Sequence, residues 1–276
     1  MIRPYETDFH IHPDFSIDAK GSIDEYCNAA LAKGLRKICF TTHIDLDPRR
    51  NEDDPFMMVD GQMMRVTPKL VQRYYDEIAS AMDIYKSNEL QIYAGVEVDY
   101  FDGVEETWSK IKGNIKFDYI LGSVHCIEGI AFTWSKHAPL CFEKFPLEVF
   151  FEKYYTAVAA LAKCGLFDCV GHLDGYRRYG YGIFGESINN PPEALLKVAL
   201  SEIRNSGIGI EINSAASRQN VGSTYPSRDI LKLAAETEVP IVALGSDAHS
   251  PADLGAGLDI SSSYLDEIGL RWKPKC

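Results

Sequence analysis

His10 and His12 stand one residue apart in DFHIHPDFSID (8–18), and Asp247 and His249 do the same in GSDAH (245–249). On an extended strand, residues i and i+2 project to the same side, so each pair offers two ligand atoms to one neighbourhood. Imidazole and carboxylate are the groups through which proteins hold zinc, manganese and iron. Asp18, His43, Glu97, His125 and His172 follow at intervals, nearly all of them close to the end of an apolar, β-branched run. Of the seven histidines, only His137 lies apart from such a run. One histidine at a strand end is usually an ordinary hydrogen-bonded core residue. Six of them, joined by Asp18, Glu97 and Asp247, would cost several kcal/mol to bury uncompensated, and bound cations remove that cost.

The elements that must position these residues alternate. Strands are predicted over 8–12, 37–43, 91–100, 119–126, 167–173, 207–215 and 240–249, and helices over 22–34, 67–87, 103–112, 147–163, 191–205 and 226–237. Ser22 with Glu25 forms a capping-box pattern closed by Gly34. Pro68 suits a first helical turn. Near-continuous apolar strands, each followed by a helix, indicate βαβ units and a parallel sheet buried on both faces. An open sheet gathers its ligands at one switch point, whereas a barrel brings every strand end to one rim. Polar residues near the end of nearly every strand, including Asn213 on the sixth, therefore favour a seven-stranded α/β barrel in a single domain spanning 1–276. Two long connections, 43–66 and 127–148, have the length of lids or binding loops. Met57, Met58, Phe132 and Trp134 within them are expected to face a substrate.

Composition narrows the partners. A net charge of -12 argues against a nucleic-acid partner, and no run of ~20 apolar residues suggests a membrane span. The N-terminal residues lack a signal-peptide pattern. Seven cysteines without zinc-type pairing read as reduced thiols of a cytoplasmic protein.

The ordered set of HxH, Asp, His, Glu, His, His and DxH resembles the polymerase-and-histidinol-phosphatase (PHP) family over almost the whole chain. The resemblance implies a distorted (β/α)7 barrel and three divalent ions, whether zinc, iron or manganese. By the same resemblance, one ion would be held by His10, His12, Glu97 and Asp247, a second by Glu97, His125 and His172, and a third by Asp18, His43 and His249. Three dications against three carboxylates and one hydroxide leave roughly +2, which matches a phosphate monoester dianion. Within the family the chain looks most like the histidinol-phosphate phosphatases. That likeness implies hydrolysis of L-histidinol phosphate, a small phosphorylated substrate, by a metal-bridging hydroxide. It also implies phosphate binding by Arg177, in GHLDGYRRYG (171–180), and Arg218, in INSAASRQN (212–220), with Arg178 able to replace its neighbour. Asp247 and His249 are the candidates to assist the leaving group. Asp45, Asp47, Glu128 and His137 are the candidates to meet the substrate ammonium. The alternatives are a phosphoesterase for another phosphomonoester, nucleotide or phosphotyrosine, and a non-catalytic or nucleic-acid-associated module.

Overall fold

The computed structural model describes residues 2–276. Seven strands form one parallel sheet in simple chain order: β1 (Thr7–Ile11), β2 (Lys37–Ile44), β3 (Gln91–Asp99), β4 (Tyr119–Ser123), β5 (Cys169–Val170), β6 (Gly209–Asn213) and β7 (Ile241–Gly245). β5 pairs through only two residues on each side, and the register shifts within both the β1–β2 and the β6–β7 ladders. These irregularities distort the barrel.

The last strand returns to the first. The His12 amide donates to the Ala248 carbonyl at 2.9 Å, and Tyr26 Oη donates to the carbonyls of both His12 and Ala248. The fully buried Asp8 reinforces this seam: its carboxylate accepts from the amides of Ser246 and Gly255, each at 2.9 Å. Closure thus sets the HxH pair of β1 beside the DxH pair after β7.

The helices follow from local chemistry. α1 (Ile23–Lys33) carries the capping box, with Ser22 Oγ accepting from the Glu25 amide and Glu25 accepting from that of Ser22; Gly34 ends it in the left-handed region. Thr67 caps α2 (Pro68–Tyr85), and Pro68 occupies its first turn. Further helices cover Val104–Lys112, Leu147–Lys163, Glu193–Asn205, Arg228–Glu236 and Leu258–Ile268. No helix among the described residues is long and apolar enough to cross a membrane.

Both long connections contain structure of their own. The first holds an antiparallel hairpin of Phe56–Val59 with Gln62–Arg65, and the second a small ribbon and the helix Ala138–Lys144. Arg50 joins them: it pairs with Asp54 in its own loop and reaches the Gly129 carbonyl at 3.2 Å and His137 Nδ1 at 3.4 Å in the other. The expectation for their apolar residues is only partly met. Met57 is fully buried because alternate hairpin residues turn inward, and Phe132 is buried against Phe150 and Tyr154. Trp134 is exposed and faces the cavity described next.

Candidate metal centre and substrate cavity

The barrel rim collects side chains that the sequence separates widely. His10 and His12, both fully buried, direct Nε2 toward Glu97 Oε2 at 3.4 and 3.5 Å. The same nitrogens lie 3.7 and 3.3 Å from Asp247 Oδ1. Four expected ligands of the first ion thus converge. Glu97 turns its other oxygen to His172 Nε2 at 3.0 Å and His125 Nε2 at 3.4 Å, so one carboxylate spans both groups. His125 and His172 are not themselves in strands; they lie just past the ends of β4 and β5.

The third group is looser. His249 Nε2 faces Asp18 Oδ2 at 3.3 Å at the outer lip, where the Asp18 side chain is 57% exposed. His43 stacks on His12 and points Nδ1 at Glu97 Oε2, 2.9 Å away, rather than at Asp18. His12, His43 and His249 nevertheless offer ligand atoms close enough to share one cation.

Outer-face contacts orient the rings. His10 Nδ1 meets Glu211, His12 Nδ1 meets Ser16 Oγ, and His249 Nδ1 meets the Asp247 carbonyl. His125 Nδ1 faces Asp99 at 3.7 Å, and Asp99 also accepts the His125 amide at 2.8 Å. Binding one imidazole nitrogen fixes which nitrogen is left for a metal. The inward atoms His10 Nε2 and His12 Nε2 are buried with no hydrogen-bond partner, and the equally buried His43 Nδ1 and Glu97 Oε2 face each other without a well-directed hydrogen bond. Buried polar atoms without partners are costly, so this donor set fits divalent cations.

Electrostatics agree. Burial pushes the Glu97 carboxyl up, but His10, His43 and His125 around it hold it well below the usual carboxylate range. Burial lowers His43 and His125, yet Glu97 outweighs it and lifts them to about 10 and about 9. Asp247 occupies the left-handed region (φ 55°), a conformation Asp tolerates better than most residues.

A cavity of ≈ 300 Å³ opens over this cluster. Such a volume suits a small ligand. Trp134, Phe56 and Tyr225 supply apolar wall, with Arg178 and Gln219 beside Tyr225, and Asp45, Asp53 and Asp54 from the first long connection.

The arginines divide differently from expectation. Arg177 is buried and bound on all sides. Its Nε lies 2.7 Å from Asp174 Oδ2, its Nη atoms donate to the Val221 and Thr224 carbonyls at 2.7 and 2.6 Å, and it packs on the Tyr225 ring. It supports the wall from behind and does not line the cavity, whereas the exposed Arg178 does. Arg218 holds the carbonyls of Ser246 and Asp247 and lies beside the rim, likewise outside the lining.

Sequence reasoning missed Glu211, Asp8 and Asp99. Glu211 and Asn213 are two apart on β6 and share a face. That is the same spacing signal as HxH, hidden inside an apolar run.

The sequence profile of the PHP domain matches residues 8–215. The chain belongs to the PHP family. The probable histidinol-phosphatase of Deinococcus radiodurans is 32% identical to it over 264 residues, spanning 96% of this PHP chain and 94% of the relative. The Bacillus subtilis histidinol-phosphatase is 27% identical over 90% of this chain and 95% of its own. The fold is shared with a histidinol phosphate phosphatase from Lactococcus lactis solved with zinc, L-histidinol and phosphate, at TM-score 0.75 and 20% identity, covering 96% of this chain and 94% of that one. A putative histidinol phosphatase from Listeria monocytogenes superposes at TM-score 0.70 and 20% identity, covering 92% and 99%.

Proposed function

We propose that this PHP protein hydrolyses L-histidinol phosphate to L-histidinol and phosphate with divalent metal ions bound at the barrel rim. The observation that carries the reading is the convergence of unpartnered, buried imidazole and carboxylate atoms beneath a small cavity. The near full-length likeness to the Deinococcus relative supports the choice of substrate. Three ions, zinc, iron or manganese, would be held by His10, His12, Glu97 and Asp247, by Glu97, His125 and His172, and by Asp18, His43 and His249. Bound there, such ions supply Lewis acidity, a nucleophile at neutral pH and a clamp on the transferring group.

The chain's own groups do the rest. Arg178 faces the cavity with a planar fork suited to phosphoryl oxygens, and it takes the role the sequence suggested for Arg177. Arg218 is the second phosphate-binding candidate: it holds the Ser246, Asp247 and Ala256 carbonyls with Nε turned toward Asp253, which leaves one Nη1 proton unspent. Proton delivery to the leaving oxygen falls to Asp247 or His249, both on the cavity wall. Of these, His249 is the more exposed and has Asp18 behind it.

The substrate ammonium requires an anion, and the four candidates separate cleanly. Asp47 is taken by Arg49, Glu128 by Lys144 and Lys153 at the surface, and His137 sits against Arg50 and Trp134. Asp45 alone of the four lines the cavity, with Oδ1 buried and unpartnered. Arg178 and Asp45 thus give the cavity a phosphate-binding and an ammonium-binding side. Seven free thiols suit a reducing compartment, and we place the reaction in the cytoplasm.

A turnover panel tests the assignment. L-Histidinol phosphate is expected to exceed amine-free phosphomonoesters in kcat/KM by at least tenfold. Comparable rates across the panel would leave a general phosphoesterase and remove the histidinol reading.

A further inference from the structure

We propose that Glu211 is a positioning residue that locks the ligands of the first and second metal ions into one unit. The inference rests on the metal-centre reading above. Glu211 is fully buried near the middle of β6 and lies behind His10, outside the cavity lining. Both of its oxygens stand 3.0 Å from His10 Nδ1. Oε1 also accepts from the His172 amide at 2.8 Å and from Asn213 Nδ2 at 3.0 Å.

These contacts have two consequences. A carboxylate against His10 Nδ1 selects the tautomer with its proton there, which leaves the Nε2 lone pair for the cation and strengthens it as a donor. The bond to the His172 amide fixes the main chain from which His172 Nε2 reaches Glu97. His10 belongs to the first ion's ligand set and His172 to the second's, so a single carboxylate sets both.

The surroundings favour this role over plain packing. Among the described residues, no lysine or arginine pairs with Glu211; its one ion-pair partner is His10. Burying a carboxylate without a lysine or arginine partner is expensive, and a divalent ion held by the ligand set that includes His10 would supply positive charge through the ring. Gly245 keeps the space open, since a Cβ there would lie 2.6 Å from Glu211 Oε2 and 2.5 Å from His10 Cβ.

The test compares metal binding with folding. Glu211→Gln keeps the volume and removes the charge. Zinc affinity, read by chelator competition, is expected to fall 10–100-fold, with the loss extending to more than one ion per chain. Affinity is read where the metal-free variant is still folded, so that the loss stands apart from any fall in its unfolding midpoint through the lost His10 pair. A merely structural carboxylate predicts a lower midpoint with unchanged zinc affinity. Glu211→Asp retains the charge but falls short of His10, so full zinc affinity in that variant would overturn positioning. Should neither variant fold, long-range 1H–15N spectra of the zinc-loaded wild-type protein decide. His10 protonated at Nδ1 is expected, and a proton on Nε2 overturns the inference. A wild-type chain that takes up no zinc would instead bring down the metal-centre reading itself.

Discussion

Replacing Arg177 with methionine should destabilise the protein without touching the phosphate site. The Arg177 and Asp174 side chains are 6% and 0% exposed, and the guanidinium meets both carboxylate oxygens. Losing one member of such a pair leaves a buried charge uncompensated, at a cost of about 3–5 kcal/mol. The variant also frees the carbonyls of Val221 and Thr224. For 276 residues, an unfolding entropy near 2 cal/mol/K per residue gives about 0.6 kcal/mol per kelvin, so Tm should drop by about 5–9 °C. Adding Asp174→Asn removes the stranded charge and should recover about 1–2 kcal/mol of the loss. Arg178→Ala makes the contrast: wild-type Tm, with phosphate inhibition and kcat/KM weakened by one to two orders of magnitude. Differential scanning calorimetry and phosphate inhibition constants on the three variants decide the matter. An Arg177→Met protein with wild-type Tm and lost phosphate affinity would refute the division of labour drawn between the two arginines.

Asp45→Asn should raise KM for an aminoalkyl phosphate roughly 10–100-fold, the loss of one charge-assisted hydrogen bond, and leave p-nitrophenyl phosphate untouched; equal effects on both would remove Asp45 from ammonium recognition. His172→Ala should lower metal content per chain while the barrel persists, as read by elemental analysis beside circular dichroism. In the metal-free protein, His43 near 10 and His125 near 9 lie above an unfolded value of about 6.5. Their contribution to stability is therefore complete below about pH 6.5 and disappears as pH rises through 9 to 10. Metal uptake must expel the same protons, so zinc affinity should climb with pH where metal-free stability falls. Thermal scans of chelator-treated protein and zinc competition between pH 6 and 10 check both slopes, and parallel slopes would contradict the shifts.

The seven strands, and the residues that meet at their rim, were legible because burial writes a strong pattern: apolar runs broken near their ends by His, Glu or Asp. The Ser22–Glu25 box was equally plain, since its two hydrogen bonds need only four adjacent residues. Arg177 and Arg178 were not separable in the same way. The chain turns helical there, at Arg177–Phe184, and which of two adjacent guanidiniums points inward depends on Asp174, Val221 and Thr224. Met57 misled for a related reason. A hairpin inside a polar connection buries every second residue, and nothing in 43–66 announces the hairpin. Glu211 escaped because the ring it contacts, His10, is some two hundred positions away along the sequence.

The Asp8 seam has a bearing on biosynthesis. His10 and His12 are made well over two hundred residues before Asp247 and His249, and only the returning β7 brings the two pairs face to face. A nascent chain therefore exposes these two histidines long before Asp247 exists. On the metal-centre reading, the first site would be complete only once β7 has docked, so capture of its ion would report that the barrel has closed.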